Sequence, residues 1–146
     1  MADGGFSNSQ EQAILAHYFA GAASPAVAQS SIALCLAAPT DASNVISEPT
    51  YTGYARQTIV AAGWVYTAAS VDPTSYENNA LIQFPLCGED VAERVTHWAL
   101  MSSSSGGILL FSGTIVVPSG GLLLNNGVQP QFDVGALRVQ LGSVAV

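Results

Sequence analysis

The chain has 146 residues, enough for one domain with a hydrophobic core but too few for two domains of ordinary size. Hydrophobic residues make up 49% of it and charged residues only 9%, and three arginines stand against ten acids for a net charge of −7, with no lysine. This composition excludes the clustered basic residues of a nucleic-acid-binding protein and argues against binding to anionic membranes.

A helix is predicted near the N-terminus, after a short arm at residues 1–6. Ser7 and Ser9 are both N-cap candidates, because each is followed three residues later by a glutamine, which is the capping-box spacing. Gly21 is suited to end the helix, since glycine readily adopts the left-handed conformation of a C-terminal cap. Within the helix one stripe is apolar, formed by Ile14, Leu15, Tyr18 and Phe19.

The chain divides by composition into an N-terminal arm, helix and linker at residues 1–29 and a β-sandwich domain at residues 30–146. The second part is predicted to be mainly β, a single antiparallel β-sandwich or jelly-roll-like barrel of about eight strands. Turn-forming residues separate the predicted strands, which lie at 31–37, 53–61, 63–69, 80–85, 94–102, 107–117, 121–124 and 136–144.

The strand predicted at 94–102 is apolar on both faces. The alternation places Val95, His97, Ala99 and Met101 on one face and Thr96, Trp98 and Leu100 on the other. Neither set is strongly polar, so we expect the core to cover one face and a further element or a partner to cover the other.

Other classes of protein fit the sequence poorly. No apolar run approaches the roughly 20 residues of a membrane-spanning helix, and disordered chains are poorer in apolar residues. Residues 1–6 contain neither a basic residue nor an apolar stretch, so we expect no signal peptide and synthesis in the cytoplasm. Soluble monomers usually carry more charge, so we expect partner subunits to cover much of the surface.

No catalytic site and no site for a cofactor or metal is predicted. His17, His97, Cys35 and Cys87 are the candidate metal ligands, and their spacing matches no zinc site. A disulfide between the two cysteines is geometrically possible, but the sequence does not establish it. Free buried thiols are commoner in a protein made inside a cell. The serine-rich segment 102–107 lacks the nucleophile elbow of hydrolases, and no glycine-rich phosphate-binding motif occurs.

The acidic residues Glu89, Asp90 and Glu93 flank one loop. Paired carboxylates serve acid–base catalysis or bind hard cations, but both uses require a geometry that the spacing does not indicate. A solvated acidic loop is the interpretation that we favour. We therefore predict a protein that is not an enzyme and holds no cofactor.

A cluster at residues 48–57 combines an X-Pro turn with Tyr51, Tyr54 and Arg56. Tyrosine and arginine are enriched in the cores of protein interfaces, which makes these three residues interface candidates. The alternative is intramolecular: Tyr54 fills one end of the core, and Arg56 pairs with an acid such as Glu48 or Glu93.

Four segments have a distinctive combined pattern: 51–57 (YTGYARQ), 95–100 (VTHWAL), 106–113 (GGILLFSG) and 131–139 (QFDVGALRV). Together they resemble a family of small virion proteins of tailed bacteriophages that are usually described as tail fibre proteins. The resemblance covers nearly the whole chain, including the short helix and the turn at 39–42. It implies a structural virion protein and brings no catalytic residues.

Receptor-binding fibres usually need a coiled coil, β-helix repeats or a trimerised shaft, and none is visible in this sequence. We therefore expect a capsid decoration or cement protein on the outer surface of the capsid. Its partners would be the major capsid protein and copies of itself, with a homotrimer as one arrangement; neither nucleic acid nor membrane is expected as a partner.

The alternative function is that of a tail fibre or tail adaptor involved in host attachment. Only in that role do we expect glycan binding, through exposed aromatic residues. The candidates are Tyr51, Trp64, Tyr66 and Tyr76.

The arm and the helix stripe are the leading candidates for intersubunit contacts, since their apolar residues lie outside the predicted β-domain. The full set of predicted interface residues is Phe6, Ile14, Leu15, Tyr18, Phe19, Tyr51, Tyr54 and Arg56. The alternative is that the helix covers the end of its own sandwich.

Overall fold

The structure is a computed structural model that describes residues 5–23, 29–67, 74–117 and 120–141. Within these ranges the chain forms one α-helix, α1 (Asn8–Ala20), a short 3-10 turn (Ala61–Gly63) and twelve short strands. The strands are β1 (Gly5–Phe6), β2 (Gln29–Cys35), β3 (Gln57–Val60), β4 (Trp64–Thr67), β5 (Thr74–Asn78), β6 (Ile82–Gln83), β7 (Glu93–Val95), β8 (His97–Met101), β9 (Leu109–Thr114), β10 (Leu122–Leu124), β11 (Gln131–Phe132) and β12 (Arg138–Leu141).

All strand pairings between these elements are antiparallel, and they form two main sheets. Sheet A has the order β1-β9-β8-β2-β3, and sheet B has the order β12-β5-β4. Two ribbons, β10–β7 and β11–β6, complete the described strands. The predicted mainly β fold is confirmed: the sheets are open rather than closed into a barrel, consistent with a β-sandwich.

The helix begins and ends at predicted residues. Ser7 is the N-cap and accepts a hydrogen bond from the backbone N–H of Gln10 at 3.4 Å. Gly21 closes the helix in the left-handed conformation, with φ of 68°, and glycine adopts this φ without steric cost. No helix in the described ranges has the length and apolar character needed to cross a membrane.

The main core lies between the two sheets and the ribbons. It is built from large apolar residues of sheet A and of the segments that pack on it, among them Ile32, Leu34, Ile59, Phe84, Trp98, Leu100, Leu124 and Leu137. Trp64 and Val139 of sheet B pack against this cluster.

A second, smaller core covers the opposite face of sheet A. It contains mostly small residues: Ala33, Cys35, Ala99, Met101 and Leu109. Such side chains let the loop at 36–56 lie close to the sheet, and Ile46 of that loop packs on them. The Asn44 side chain accepts a hydrogen bond from the Leu109 backbone N–H at 3.0 Å. The second face of β8 is thus covered by the chain's own loop.

The predicted continuous strand at 94–102 is wrong in one respect. Thr96 interrupts it, because β7 pairs with β10 while β8 pairs with β2 and β9. Val95 consequently lies in the main core, whereas Ala99 and Met101 lie in the second core. A strict alternation across the break placed these three residues on one face.

Three described strands were not predicted, namely β1, β5 and β11. β1 and β11 have only two residues each, and β5 (TSYEN) is too polar to give a strand pattern. β1 lies in the predicted arm, yet it pairs with β9 through Gly5–Ser112 and Phe6–Phe111. Residues 68–69 and 142–144 of the predicted strands lie outside the described residues.

Candidate functional site

The apolar stripe of α1 points to solvent. The exposed fractions are 57% for Leu15, 75% for Tyr18 and 84% for Phe19, while Ile14 is half-buried. None of the helix residues is buried, although α1 lies beside β1 and β9. The helix therefore does not cover the end of its own sandwich with this face.

The N-terminal end of α1 is fixed to sheet A. Ser7 is buried, its backbone N–H donates to Leu110 O at 3.1 Å, and its hydroxyl donates to Leu109 O. The Asn8 N–H donates to Asp41 O at 3.3 Å. Just before the helix, the half-buried Phe6 ring lies 4.2 Å from the ring of Phe111, centroid to centroid. These contacts hold the exposed apolar face at a defined position.

Arg56 is committed to contacts within the chain. Its Nε and Nη2 atoms donate to the two carboxylate oxygens of Glu48, at 2.9 and 2.7 Å. Its Nη1 atom donates to the backbone oxygens of Ser103 and Gly106, at 3.0 and 2.7 Å. The side chain is only 7% exposed, and the hydrogen bonds to Glu48 are the main reason that the pKa of Arg56 is raised.

Tyr54 joins the same network. Its hydroxyl donates to Glu48 at 3.0 Å and accepts a bond from the Leu34 backbone N–H at 2.9 Å. Burial raises the pKa of Tyr54 far above its usual value. Tyr51 is buried, its hydroxyl donates to Pro85 O at 2.8 Å, and burial raises its pKa to about 12. The cluster at 48–57 thus has the intramolecular arrangement that was the alternative, with Glu48 rather than Glu93 as the partner of Arg56.

The acidic loop binds backbone N–H groups. Glu93 accepts bonds from the Thr50 N–H at 2.9 Å and the Thr50 hydroxyl at 2.7 Å. Glu89 accepts from the Thr52 N–H, and this bond lowers the pKa of the carboxyl. Asp90 accepts from the Asn126 N–H at 2.9 Å. The three carboxylates therefore join neighbouring loops, and nowhere in the described parts of the chain do three His, Cys, Asp or Glu residues form a metal-binding group.

Both cysteines are free and buried, in different cores: Cys35 in the second core and Cys87 in the main core. Burial, with a smaller contribution from Glu48, raises the pKa of Cys35 to about 12. The Cys87 thiol donates to Glu89 O at 3.0 Å.

The two histidines are also in local contacts. Nδ1 of His17 lies 2.9 Å from Ala22 O at the end of α1, and Nδ1 of His97 lies 2.8 Å from the Thr96 hydroxyl. Burial lowers the pKa of His97.

Three of the four predicted glycan-contacting aromatic residues come together, and Tyr51 does not join them. Trp64, Tyr66 and Tyr76 lie on the β4–β5 hairpin, where Tyr66 is directly opposite Tyr76. The centroids of the two tyrosine rings are 5.7 Å apart. Next to them, a cleft of about 310 Å³ opens between sheets A and B.

A larger cleft of about 490 Å³ opens elsewhere between the sheets, next to the Trp98 and Phe111 side chains. Trp98 can lie over β9 because residue 113 is glycine: a Cβ atom there would be 2.7 Å from the indole ring. Neither cleft was predicted, because residues from several separate strands form each wall, and no local sequence pattern marks such a meeting point.

No curated protein sequence matches the chain. A family model does match it, over residues 5–140, and that model is described as podophage GP4 fiber I protein gp80. The matched range contains α1, both cores and the β4–β5 hairpin. The chain therefore belongs to the podophage GP4 fiber I protein family, a family of phage virion fibre proteins.

Proposed function

We propose that this protein is a non-enzymatic fibre subunit that is attached to a larger virion protein through the apolar face of α1. The observation that carries the proposal is the exposure of Leu15, Tyr18 and Phe19 on a helix whose N-terminus is fixed to sheet A. Large apolar side chains grouped on a surface mark interaction sites in soluble proteins. Burying them contributes roughly 25 cal/mol per Å² of apolar area.

The site on the virion is part of the proposal. The description of the family as fibre proteins supports a place in a tail fibre or at its attachment point. From the sequence, the tail location was the alternative. Capsid decoration was favoured there because no shaft is visible in the sequence. In either location the helix face is the surface that meets the larger virion protein.

Attachment is tested with a phage that carries the triple substitution Leu15→Ser, Tyr18→Ser and Phe19→Ser. We expect purified virions to lose the protein, while the isolated variant keeps the circular dichroism spectrum of the wild type, because these side chains contribute no buried contact. The matched control changes three other apolar residues that are also more than half exposed, Val45, Leu86 and Val134, to serine. Normal incorporation of the helix variant would contradict the proposal.

Location is tested by immunogold labelling of intact virions with antibody against the purified protein. Label confined to the tail or its attachment point is the expected result. Label spread over the head would instead favour the decoration role.

A further inference from the structure

The β4–β5 hairpin presents aromatic rings on one face. Trp64 and Tyr66 are two residues apart in β4 and so point to the same side of the sheet, and Tyr76 is directly opposite Tyr66. The two tyrosines are each about half exposed, and Trp64 is half-buried against the main core. The face therefore continues from the core out to solvent.

The described residues that line the cleft beside this face are uncharged. Trp64, Tyr76 and Val139 line it from sheet B, and Ile59, Leu100 and Phe111 line it from sheet A. The remaining lining residues are Gln29, Ser30 and Ala61, so none of them carries a charge. Its volume of about 310 Å³ is at the lower end of the range for small-molecule sites, which are mostly apolar with a few polar groups.

We propose that the β4–β5 hairpin and its cleft bind a neutral sugar ring. A pyranose has an apolar face of C–H groups and a rim of hydroxyls, and it fits a flat aromatic ring that has polar groups at its edge. The tyrosine hydroxyls and the exposed Gln29 amide provide such groups. An anionic sugar fits less well, because the described lining of the cleft offers no cation to pair with it and the net charge of the protein is −7.

The paired tyrosines and the attachment face adjoin opposite edges of sheet A, although the cleft between the sheets reaches Phe111 of β9, the neighbour of β1. α1 directly follows β1 at one edge, and β4 follows β3 at the other, separated by a single 3-10 turn. A subunit held by α1 therefore leaves the aromatic hairpin accessible. The use of this site in host attachment rests on the proposed fibre function, but sugar binding itself is a property of the isolated protein.

Binding is tested by saturation-transfer-difference NMR on the purified full chain. The probes are glucose, galactose, mannose, rhamnose and N-acetylglucosamine, each added alone, with N-acetylneuraminic acid as the anionic comparison. We expect saturation of the ring protons of at least one neutral sugar and none for the anionic sugar. Absence of saturation for every neutral sugar would overturn the proposal, and equal saturation of the anionic sugar would overturn the charge argument.

The site is tested with Tyr66→Ala and Tyr76→Ala. Each is expected to raise the Kd of the bound sugar about tenfold, which corresponds to roughly 1.4 kcal/mol. The matched control is Tyr18→Ala, an exposed tyrosine on α1, which should leave the Kd unchanged. Tyr76→Phe keeps the ring and should bind more tightly than Tyr76→Ala. Wild-type affinity in both alanine variants would place any sugar elsewhere.

The α1 variant with three serine substitutions, Leu15→Ser, Tyr18→Ser and Phe19→Ser, separates the two proposals. If it binds the sugar normally and is lost from virions, both stand. Normal incorporation with intact sugar binding would contradict only the attachment role of α1, and absent sugar binding by the wild-type chain would contradict only the sugar site.

Discussion

At the scale of single residues, Arg56 is the polar side chain whose removal should lower the free energy of unfolding most. Its guanidinium holds together the loop at 36–56 and the serine-rich loop through Glu48, Ser103 and Gly106. Arg56→Ala leaves the mostly buried Glu48 carboxylate with the Tyr54 hydroxyl as its remaining partner among the described residues. We expect a decrease of about 2–3 kcal/mol in the free energy of unfolding, measured by urea titration.

Arg56→Lys is the matched variant for this network. Lysine keeps the positive charge, but its ammonium lacks the planar fork that binds two carboxylate oxygens and reaches two backbone carbonyls at once. We therefore expect it to recover only part of the lost stability. Full wild-type stability in either variant would show that the contacts of Arg56 contribute little.

The two thiols give a second residue-scale prediction. At about pH 8, a pKa near 12 makes the thiolate fraction of Cys35 about a thousandfold smaller than that of an ordinary cysteine, and both thiols are buried. Iodoacetamide should therefore modify neither residue in the folded protein and both after unfolding in guanidinium without reductant. Mass spectrometry counts the adducts. An unfolded chain that stays unmodified would show that the cysteines are paired.

At the scale of elements, the start of α1 depends on one of two serines that the sequence leaves equivalent. Ser7 caps the helix and also binds β9 through its hydroxyl, whereas Ser9 is exposed and its hydroxyl lies 3.2 Å from the Ser7 hydroxyl. Ser7→Ala should lower the free energy of unfolding by about 1–2 kcal/mol. Ser9→Ala should change it by less than about 0.5 kcal/mol. Equal effects in urea titrations would contradict the assignment of the cap.

The elements that sequence patterns predicted are those with strong local signals. The capping spacing and Gly21 locate α1, and the apolar run that contains Ile32 and Leu34 locates β2. β5 was missed because TSYEN looks polar, and it forms a strand because β4 and β12 pair with it on either side. The break at Thr96 likewise depends on the separate partners of β7 and β8. Such pairings are decided by the whole fold, not by local periodicity.

At the scale of the whole molecule, the stripe of α1 and the aromatic face of β4 and β5 differ in how far local sequence patterns define them. The α1 stripe needs only helical periodicity to be recognised, whereas its exposure depends on how the helix is oriented against β1 and β9. The aromatic face depends on register, since only the β4–β5 pairing brings Tyr66 opposite Tyr76. Tyr51 was grouped with these residues by its type alone, and the fold places it in the core instead.

Charge and apolar surface together should control self-association of the isolated protein. Ten acids against three arginines keep copies apart at neutral pH, and the net charge that causes this repulsion falls to zero only near the pI of 4.3, where carboxyls take up protons. The exposed face of α1 can then bind a second copy. We expect sedimentation velocity to show monomers at about pH 7.5 and larger species near the pI of 4.3. The Leu15→Ser, Tyr18→Ser, Phe19→Ser variant should stay monomeric at both pH values, with circular dichroism confirming that it is folded. Equal association of variant and wild type would place the self-associating surface away from α1.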